Sequence, residues 1–585
     1  MQETDKRKQQ TTAADVKMDL QIIDGLKASI FGSVQRDSYV DGVYRDLKSE
    51  FSIENDVYKN GGYAERSTAL SQNFAVEPTI QYNRTFAHDH SITAILGYSY
   101  RYNVDENFSA NNYGFVNDIF EENNLGAGNQ LSAGKAGMSS FKEDDKLIAF
   151  FGRVNYSFKD RYLLQFILRK EGSSRFGANH KWGYFPAASA GWTVTQEDFM
   201  KNVNFINYLK LRVGYGITGN SGFENNASRV TLGTGGIYRF PDGEYRQTYG
   251  PDRNPNPDLR YEKKKELNIG ADFTLFNNRI TGAIDVFKRK TQDLLDTYTT
   301  PQPPFIRSSI YANVGTISAK GIELSVSFAA IKNKDFKWNM DVTGSTTKNI
   351  LDTYSNKIYT QEYKTFGGIG GFGALGDAIR TYERGPLGEF WGKRFAGFDA
   401  DGKWLFYKRD GSKVHNDQIN NSFDRNVTDY APIGNAIPKY YASWTNTFNY
   451  KGFDLRVFLR GKFDYDILNT TAISYGNKVS NTNLLRSAFT KYAQINDTYM
   501  YSDYYLESGS FVKLDEVTVG YTFKLKTDYI RNLRVYISGQ NLATMTKYTG
   551  NDPDFVADTG LGPGIDGRGP YPSTRTFLLG LNVGF

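Results

Sequence analysis

The chain has 585 residues, a net charge of +6 and no cysteine. The lack of cysteine excludes disulfides, thiol chemistry and cysteine-based zinc sites, and so small a net charge gives no sign of a nucleic-acid partner. Apolar runs of about eighteen residues, which a transmembrane helix needs, do not occur. Aromatic residues make up 15% of the chain, with 41 Tyr and 41 Phe, and these residue types favour β-strands and membrane interfaces.

Apolar and polar residues alternate with period two in many segments. The first, from Val16 to Ile22, is followed by a two-residue turn signal at Asp24 and Gly25. The alternation returns at residues 26–32, 92–100, 148–158, 162–168, 209–217, 267–275, 280–286, 322–328 and 576–585. Successive side chains of a strand point to opposite faces, so each segment predicts a strand with one apolar and one polar face.

The hairpin predicted around residues 277–278 shows the two faces best. Its apolar face is predicted to meet lipid. Charged side chains placed with period two on the other face would be costly in a sandwich core but acceptable in a water-filled lumen. The polar row that we predict to face a lumen consists of Glu266, Asn268, Asp272 and, on a later strand, Glu323.

The connections between these segments alternate in length. Short turns are predicted at residues 24–25, 86–91, 159–161, 277–278 and 451–452. Long stretches rich in Gly, Asn and Asp are predicted at 40–70, 108–140, 220–260, 347–437, 470–508 and 543–573. This pattern predicts an all-β fold, a transmembrane antiparallel β-barrel of about 17 strands with short periplasmic turns and long extracellular loops.

The last segment ends the sequence on an aromatic residue. One face of this strand is apolar and the other is small or polar, as expected for the closing strand of an outer-membrane barrel. We predict that this strand meets lipid and is recognised by the barrel assembly machinery through Phe577, Leu579, Leu581, Val583 and Phe585.

Several phrases in a fixed order carry a family resemblance. They include GSSRF at 172–176, GYFPAASAGW at 183–192, LKLRVGYGITGN at 209–220, NVGTISAKGIEL at 313–324, GPLGEFWG at 385–392 and GQNL at 539–542. The set resembles the SusC/RagA-type TonB-linked outer-membrane proteins, a branch of the TonB-dependent transporters. The resemblance implies a location in the outer membrane of a Gram-negative bacterium and import of oligosaccharides or peptides. It also implies a SusD-like surface lipoprotein as partner. No cofactor is predicted.

The resemblance also sets expectations about completeness. Members of the family carry a signal peptide, a TonB-box region and a plug before the barrel, and a plugged transporter barrel has 22 strands. We therefore expect a polar stub at residues 1–12 and an incomplete barrel domain at 13–585, with its longest loop at 347–437. The TonB complex would act through a plug that this chain does not carry.

Three aromatic residues in the longest loop are the candidate ligand contacts: Tyr382, Phe390 and Trp391. They would stack on sugar rings or peptide side chains, and packing within the loop is the alternative. Neither a nucleophile elbow nor a paired-acid signature occurs, so no catalytic residue is predicted and the chain is not expected to be an enzyme. No metal site is predicted either. The alternatives to import are a passive or vestigial barrel and a soluble β-rich glycan-active enzyme.

Overall fold

A computed structural model describes residues 3–54, 61–356, 359, 361–370, 375–479, 483–525, 529–568 and 571–584. The chain divides into two compact units. The first unit comprises residues 1–188, 216–263 and 295–313, and the second comprises residues 189–215, 264–294 and 314–585.

Nearly all of the regular structure is β. The first fourteen strands are β1 (Glu3–Ile23), β2 (Leu26–Arg45), β3 (Gly62–Phe86), β4 (His90–Phe115), β5 (Gly137–Phe158), β6 (Tyr162–Ser173), β7 (Trp182–Thr193), β8 (Ile206–Asn220), β9 (Leu232–Arg239), β10 (Tyr245–Pro251), β11 (Glu262–Leu275), β12 (Ile280–Thr299), β13 (Ser309–Lys332) and β14 (Phe336–Thr353).

The remaining strands are β15 (Tyr363–Gly368), β16 (Asp377–Tyr382), β17 (Gly385–Pro386), β18 (Glu389–Gly392), β19 (Arg394–Phe398), β20 (Trp404–Tyr407), β21 (Lys413–Val414), β22 (Ala431–Asn435), β23 (Tyr440–Tyr450), β24 (Phe453–Phe463), β25 (Asp466–Leu468), β26 (Leu506–Ser508), β27 (Phe511–Lys524), β28 (Asn532–Thr546) and β29 (Thr576–Gly584). Among the described residues, seventeen strands are at least nine residues long, in agreement with the predicted number: β1–β8, β11–β14, β23, β24 and β27–β29.

Helices are few and short. The described residues contain α1 (Glu50–Glu54), α2 (Thr470–Tyr475) and 3-10 turns at Glu121–Asn123, Leu125–Ala127, Val194–Gln196, Asp198–Met200, Asn416–Gln418, Arg486–Phe489, Asp503–Tyr505 and Pro553–Phe555. No helix in this described part has both the length and the apolar character that crossing a membrane requires.

In the first unit, β1 to β6 pair in chain order, each antiparallel to the next. The turn signals predicted from the sequence lie between these strands. Gly25 has a φ of +83°, and a Cβ there would lie 2.5 Å from the carbonyl oxygen of Asn83, so the turn requires glycine. Lys159 and Asp160 both have positive φ, as a tight hairpin turn between right-twisted strands requires.

The first strand extends further than the sequence predicted. Residues 3–12, expected to be a polar stub, belong to β1, where Glu3 lies opposite Arg45 and Thr12 opposite Arg36. The prediction of a stub is wrong for these residues because it relied on apolar alternation. Backbone pairing with β2 forms the strand here although the side chains are polar on both faces.

In the second unit, β13, β14, β23, β24, β27, β28 and β29 pair successively, again antiparallel. The two faces of β11 differ in exposure: Leu267 and Ile269 are 40% and 55% exposed, whereas Glu266 and Asn268 are half-buried. On β29, the exposed apolar side chains are Phe577, Leu578, Leu579, Leu581 and Val583. Phe585 lies outside the described residues.

The long connections of the second unit are folded. We call the described parts of residues 354–439, 464–510 and 547–568 the loop layer. It contains a four-stranded sheet of β15, β16, β18 and β22, a three-stranded sheet of β19–β21 and the pair β25–β26. These small sheets enclose one apolar core, which includes Ile379, Phe390, Trp404, Leu468, Tyr501 and Tyr505. Since β14 continues to Thr353, the longest loop begins later than the predicted residue 347.

Candidate functional site

The polar face of the second unit carries a charge hub centred on Arg212 of β8. Its Nε and Nη2 donate to the Asp272 carboxylate on β11 at 2.8 and 2.9 Å. Its Nη1 and Nη2 also donate to the Asp285 carboxylate on β12, both at 3.1 Å. One guanidinium therefore forms two bidentate pairs, the strongest geometry available to a carboxylate and a cation. We call Arg212, Asp272 and Asp285 the Arg212 hub.

A glycine makes room for this hub. A Cβ at Gly270 would lie 2.3 Å from Asp285 Oδ1 and 2.8 Å from Arg212 Nη2. A residue larger than glycine would therefore displace the ion pairs. Gly520 has the same relation to a second pair, since a Cβ there would lie 2.6 Å from Asp454 Oδ1 and 2.7 Å from Arg534 Nη2. Small residues on the polar face of these strands thus permit charged side chains to lie flat across the sheet.

The other residues predicted to face a lumen are Glu266, Asn268 and Glu323. Glu266 accepts a hydrogen bond from Arg289 Nε at 2.8 Å, and Asn268 lies two residues further along β11, so its side chain is on the same face of the strand as Glu266. Glu323 is exposed on β13, where it lies opposite Ser345 of β14. Sequence reasoning identified Asp272 but missed Arg212 as its partner, because the two residues meet only through strand pairing.

A charge cluster, partly exposed at Arg460 and buried at Lys513, fixes residues 547–568 to the strands. Arg460 of β24 donates to Asp515 at 2.7 Å and to Asp554 at 2.6 Å. Lys513 of β27 donates to Asp552 at 2.8 Å, and both side chains are buried. Burial alone would raise the pKa of Asp554, but Arg460 and the two neighbouring lysines outweigh it and lower the pKa to about 2.

The structure places Tyr382, Phe390 and Trp391 inside the loop layer. Phe390 is fully buried, and the other two are about 95% buried. The Tyr382 hydroxyl donates to the carbonyl of Phe423 at 3.0 Å, and Trp391 Nε1 donates to Glu389 at 2.7 Å. These contacts favour the packing alternative for the three residues, whose rings are not open to a ligand in this structure.

A cavity of about 770 Å³ lies within the loop layer, a size typical of small-molecule sites. Its lining includes Arg380 and Lys393 together with the aromatic residues Phe423, Tyr430 and Tyr501. Arg380 lies on β16, and Lys393 lies between β18 and β19. Two connections of the loop layer, residues 354–439 and 464–510, thus bring two cations and several rings to one space.

Both cations of this cavity are buried, at 5% and 7% exposure. Burial lowers the pKa of Lys393 to about 8, an effect that Asp497 partly offsets. Neither residue was singled out from the sequence, where nothing distinguishes them from the other Lys and Arg.

No group of three His, Asp or Glu side chains in the described part of the chain is arranged to hold a metal ion.

The sequence and the fold of this chain are similar to those of known proteins. The family model for the TonB dependent receptor-like β-barrel matches residues 2–542. The chain belongs to this family. The predicted fold class, a mainly antiparallel all-β barrel of the TonB-dependent type, is confirmed, and so is the resemblance to SusC/RagA-type proteins. TonB-dependent receptors are outer-membrane proteins of Gram-negative bacteria, so this is the location of the chain.

Two curated TonB-dependent receptors illustrate the similarity. The TonB-dependent receptor SusC of Bacteroides thetaiotaomicron is 30% identical over 472 residues, which cover 76% of this chain and 44% of SusC. TonB-dependent receptor P3 of Formosa agariphila is 28% identical over 622 residues, covering 99% of this chain and 58% of the relative. The chain spans about half the length of the curated relatives that it matches.

A solved structure of the RagAB peptide transporter shares the fold of this TonB-dependent receptor chain. The TM-score is 0.82 at 20% sequence identity, and the match covers 100% of this chain and 63% of the solved chain. At this identity the match shows the fold alone.

Proposed function

We propose that the chain supplies most of the barrel wall of a TonB-dependent importer that carries oligosaccharides or peptides across the outer membrane. The Arg212 hub is the observation that carries this proposal. A fixed row of ion pairs on one face of the strands, with exposed apolar side chains on the other, suits a wall between a polar interior and lipid. Glu266, Asn268, Asp272 and Glu323 would face that interior.

The ion pairs on this face of the strands also suit a plug domain, the partner that such a wall would hold. Carboxylates and guanidinium groups that already pair with each other offer hydrogen-bond donors and acceptors in fixed positions. A plug domain could pack against them and be released when the TonB complex pulls on it. In this proposal the plug is a separate part of the transporter, and the wall provides its seat.

The loop layer would face the cell exterior and receive cargo together with a SusD-like surface lipoprotein. Its packed core and small sheets give it a defined surface rather than a set of flexible loops. The description of RagAB as a peptide transporter supports peptides as one cargo class, and the relation to SusC supports the same type of assembly.

Uptake by cells tests the proposal. A strain that produces the complete transporter is compared with a strain lacking its gene, using fluorescent oligosaccharides and fluorescent peptides of equal size. If import is energised, we expect fluorescent cargo to enter cells that have the transporter and TonB. Uptake should be lost to the same extent when either the transporter or TonB is missing. Uptake that persists without TonB would instead support the passive barrel.

Extraction from cell membranes distinguishes the proposed barrel wall from the remaining alternative, a soluble β-rich enzyme. If the chain is part of a barrel wall, we expect it to stay in the outer-membrane fraction after carbonate washing and to be released only by detergent. Release into buffer without detergent would support a soluble β-rich enzyme and contradict the proposal.

A further inference from the structure

We propose that the loop-layer cavity binds a ligand carrying a carboxylate group, with Arg380 and Lys393 as the cations that receive it. This inference goes beyond import, because a binding site in the loop layer stands or falls independently of energised transport.

Arg380 is a buried cation held by neutral partners. Its Nη1 donates to the carbonyl of Ser422 at 3.0 Å and its Nη2 to the carbonyl of Asn421 at 3.3 Å. The rings of Phe423 and Tyr430 lie 4.4 and 4.5 Å from its guanidinium carbon. These contacts hold the group in place without neutralising it.

Lys393 is the second cation of the cavity. Its Nζ donates to Asn416 Oδ1 at 2.6 Å, lies 3.3 Å from Met500 Sδ and sits 4.9 Å from the centre of the Phe406 ring. Among the described residues, neither Lys393 nor Arg380 has a carboxylate within ion-pair distance. A buried cation without an anion is unfavourable, so an anionic ligand group would offset a cost that the free protein carries.

The rest of the lining fits an organic acid rather than an inorganic ion. The cavity has room for a ligand of several rings or residues, and Tyr430, Tyr499 and Tyr501 line it with aromatic surface. Asp377 lies on the lining as an exposed carboxylate that accepts from Thr365 Oγ1 at 2.5 Å. A negative group at this point disfavours ligands with many charges, so a single carboxylate on a larger polar molecule suits the cavity best.

Two sources could supply that carboxylate: the uronate of an acidic oligosaccharide and the acidic group of a short peptide. The detergent-solubilised full-length protein is titrated calorimetrically with a trisaccharide that carries one terminal galacturonate and with the methyl ester of the same trisaccharide. A parallel arm uses a blocked tetrapeptide with one Glu and the same peptide with Gln. We expect the carboxylate to bind at least tenfold more tightly than its neutral match in one arm, which identifies the source.

Variants connect the binding to the two cations. Lys393→Met keeps the length of the side chain and Arg380→Gln keeps hydrogen-bond donors, and each is expected to weaken binding of the carboxylate probe at least tenfold. Lys413→Met is the matched control, because it removes an exposed lysine of the same loop layer. Its affinity should equal that of the wild type.

Measuring the affinity of the wild-type protein for the carboxylate probe at several pH values tests the proposal without any variant, and so also if a variant unfolds. Burial lowers the pKa of Lys393 to about 8, so the cation that receives the carboxylate is lost as the pH rises, and affinity should fall between pH 7 and 9.5. Equal affinity for a carboxylate probe and its neutral match in both arms would overturn the proposal. So would unchanged binding in folded Lys393→Met or an affinity independent of pH.

Discussion

Replacing Arg212 with Met would leave the Asp272 and Asp285 carboxylates of the hub without their shared cation. Four hydrogen bonds are lost, with donor–acceptor distances of 2.8 to 3.1 Å. Two acids from adjacent strands, β11 and β12, would then face the vacated space. The substitution retains the aliphatic length of the side chain, so the loss is mainly electrostatic.

The exposure of the hub sets the size of the effect. Breaking a fully buried ion pair costs about 3–5 kcal/mol, and an exposed pair contributes about 0.2–1 kcal/mol. The side chains of Arg212, Asp272 and Asp285 are 32%, 33% and 19% exposed, which places the hub between these limits. We expect Arg212→Met to lower the free energy of unfolding by about 2–3 kcal/mol.

Urea titration of the full-length protein in detergent micelles, followed by tryptophan fluorescence, measures this loss. Arg289→Met is the matched control, since Arg289 makes a single hydrogen bond to Glu266, at 2.8 Å, and should cost about 1 kcal/mol or less. Adding Asp272→Asn and Asp285→Asn to Arg212→Met should restore part of the stability by removing the repulsion. A loss no larger than that of Arg289→Met would refute the central role of the hub.

The remaining predictions concern the faces of β11, the hub glycine, the loop layer and the charge cluster. In the same titration Ile269→Arg should cost about 2–4 kcal/mol and Asn268→Arg much less, and equal costs would contradict the assigned faces. Gly270→Ala should destabilise the protein much as Arg212→Met does, and retention of wild-type stability would show that the strands can shift. Phe390→Ala should cost about 3–5 kcal/mol and speed hydrogen exchange across the loop layer, while Tyr382→Phe should change exchange little. The depressed pKa of Asp554 stabilises the fold above pH 4 and loses that effect as the pH falls from about 4 to about 2. Proteolysis between residues 547 and 568 should therefore rise over that range in the wild type but not in Asp554→Asn.

The strands could be predicted because their pattern is local. The hairpin expected around residues 277–278 is present, with β11 ending at Leu275 and β12 beginning at Ile280. Asn277 and Asn278 have the positive φ that asparagine tolerates better than most residues. Each prediction of this kind needed only neighbouring residues, since the side chains of a strand alternate whatever the strand pairs with.

The loop layer and its cavity could not be predicted in that way. Ile379, Ala472 and Tyr501 share one core although more than 90 residues separate the first from the second, and no periodicity connects them. Arg380 and Lys393 are two of 70 basic residues, and what distinguishes them among the described residues is burial without a paired carboxylate. The aromatic residues of GPLGEFWG were visible in the sequence, but whether they packed inward or faced a ligand depended on strands elsewhere in the loop.

The core of the loop layer has a consequence for how the protein matures. Ile369 and Ile565, about 200 residues apart, belong to the same packed cluster, and Leu468 exchanges backbone hydrogen bonds with Gly564 and Asp566 at 2.8 and 3.1 Å. Contacts this distant in sequence close late, because the chain between them must first be ordered. Until residues 564–566 arrive, Phe390, whose ring lies against Gly564, lacks its full burial, so the nascent chain presents an apolar surface suited to periplasmic chaperones. The loop layer would then be the last part to gain resistance to protease during assembly.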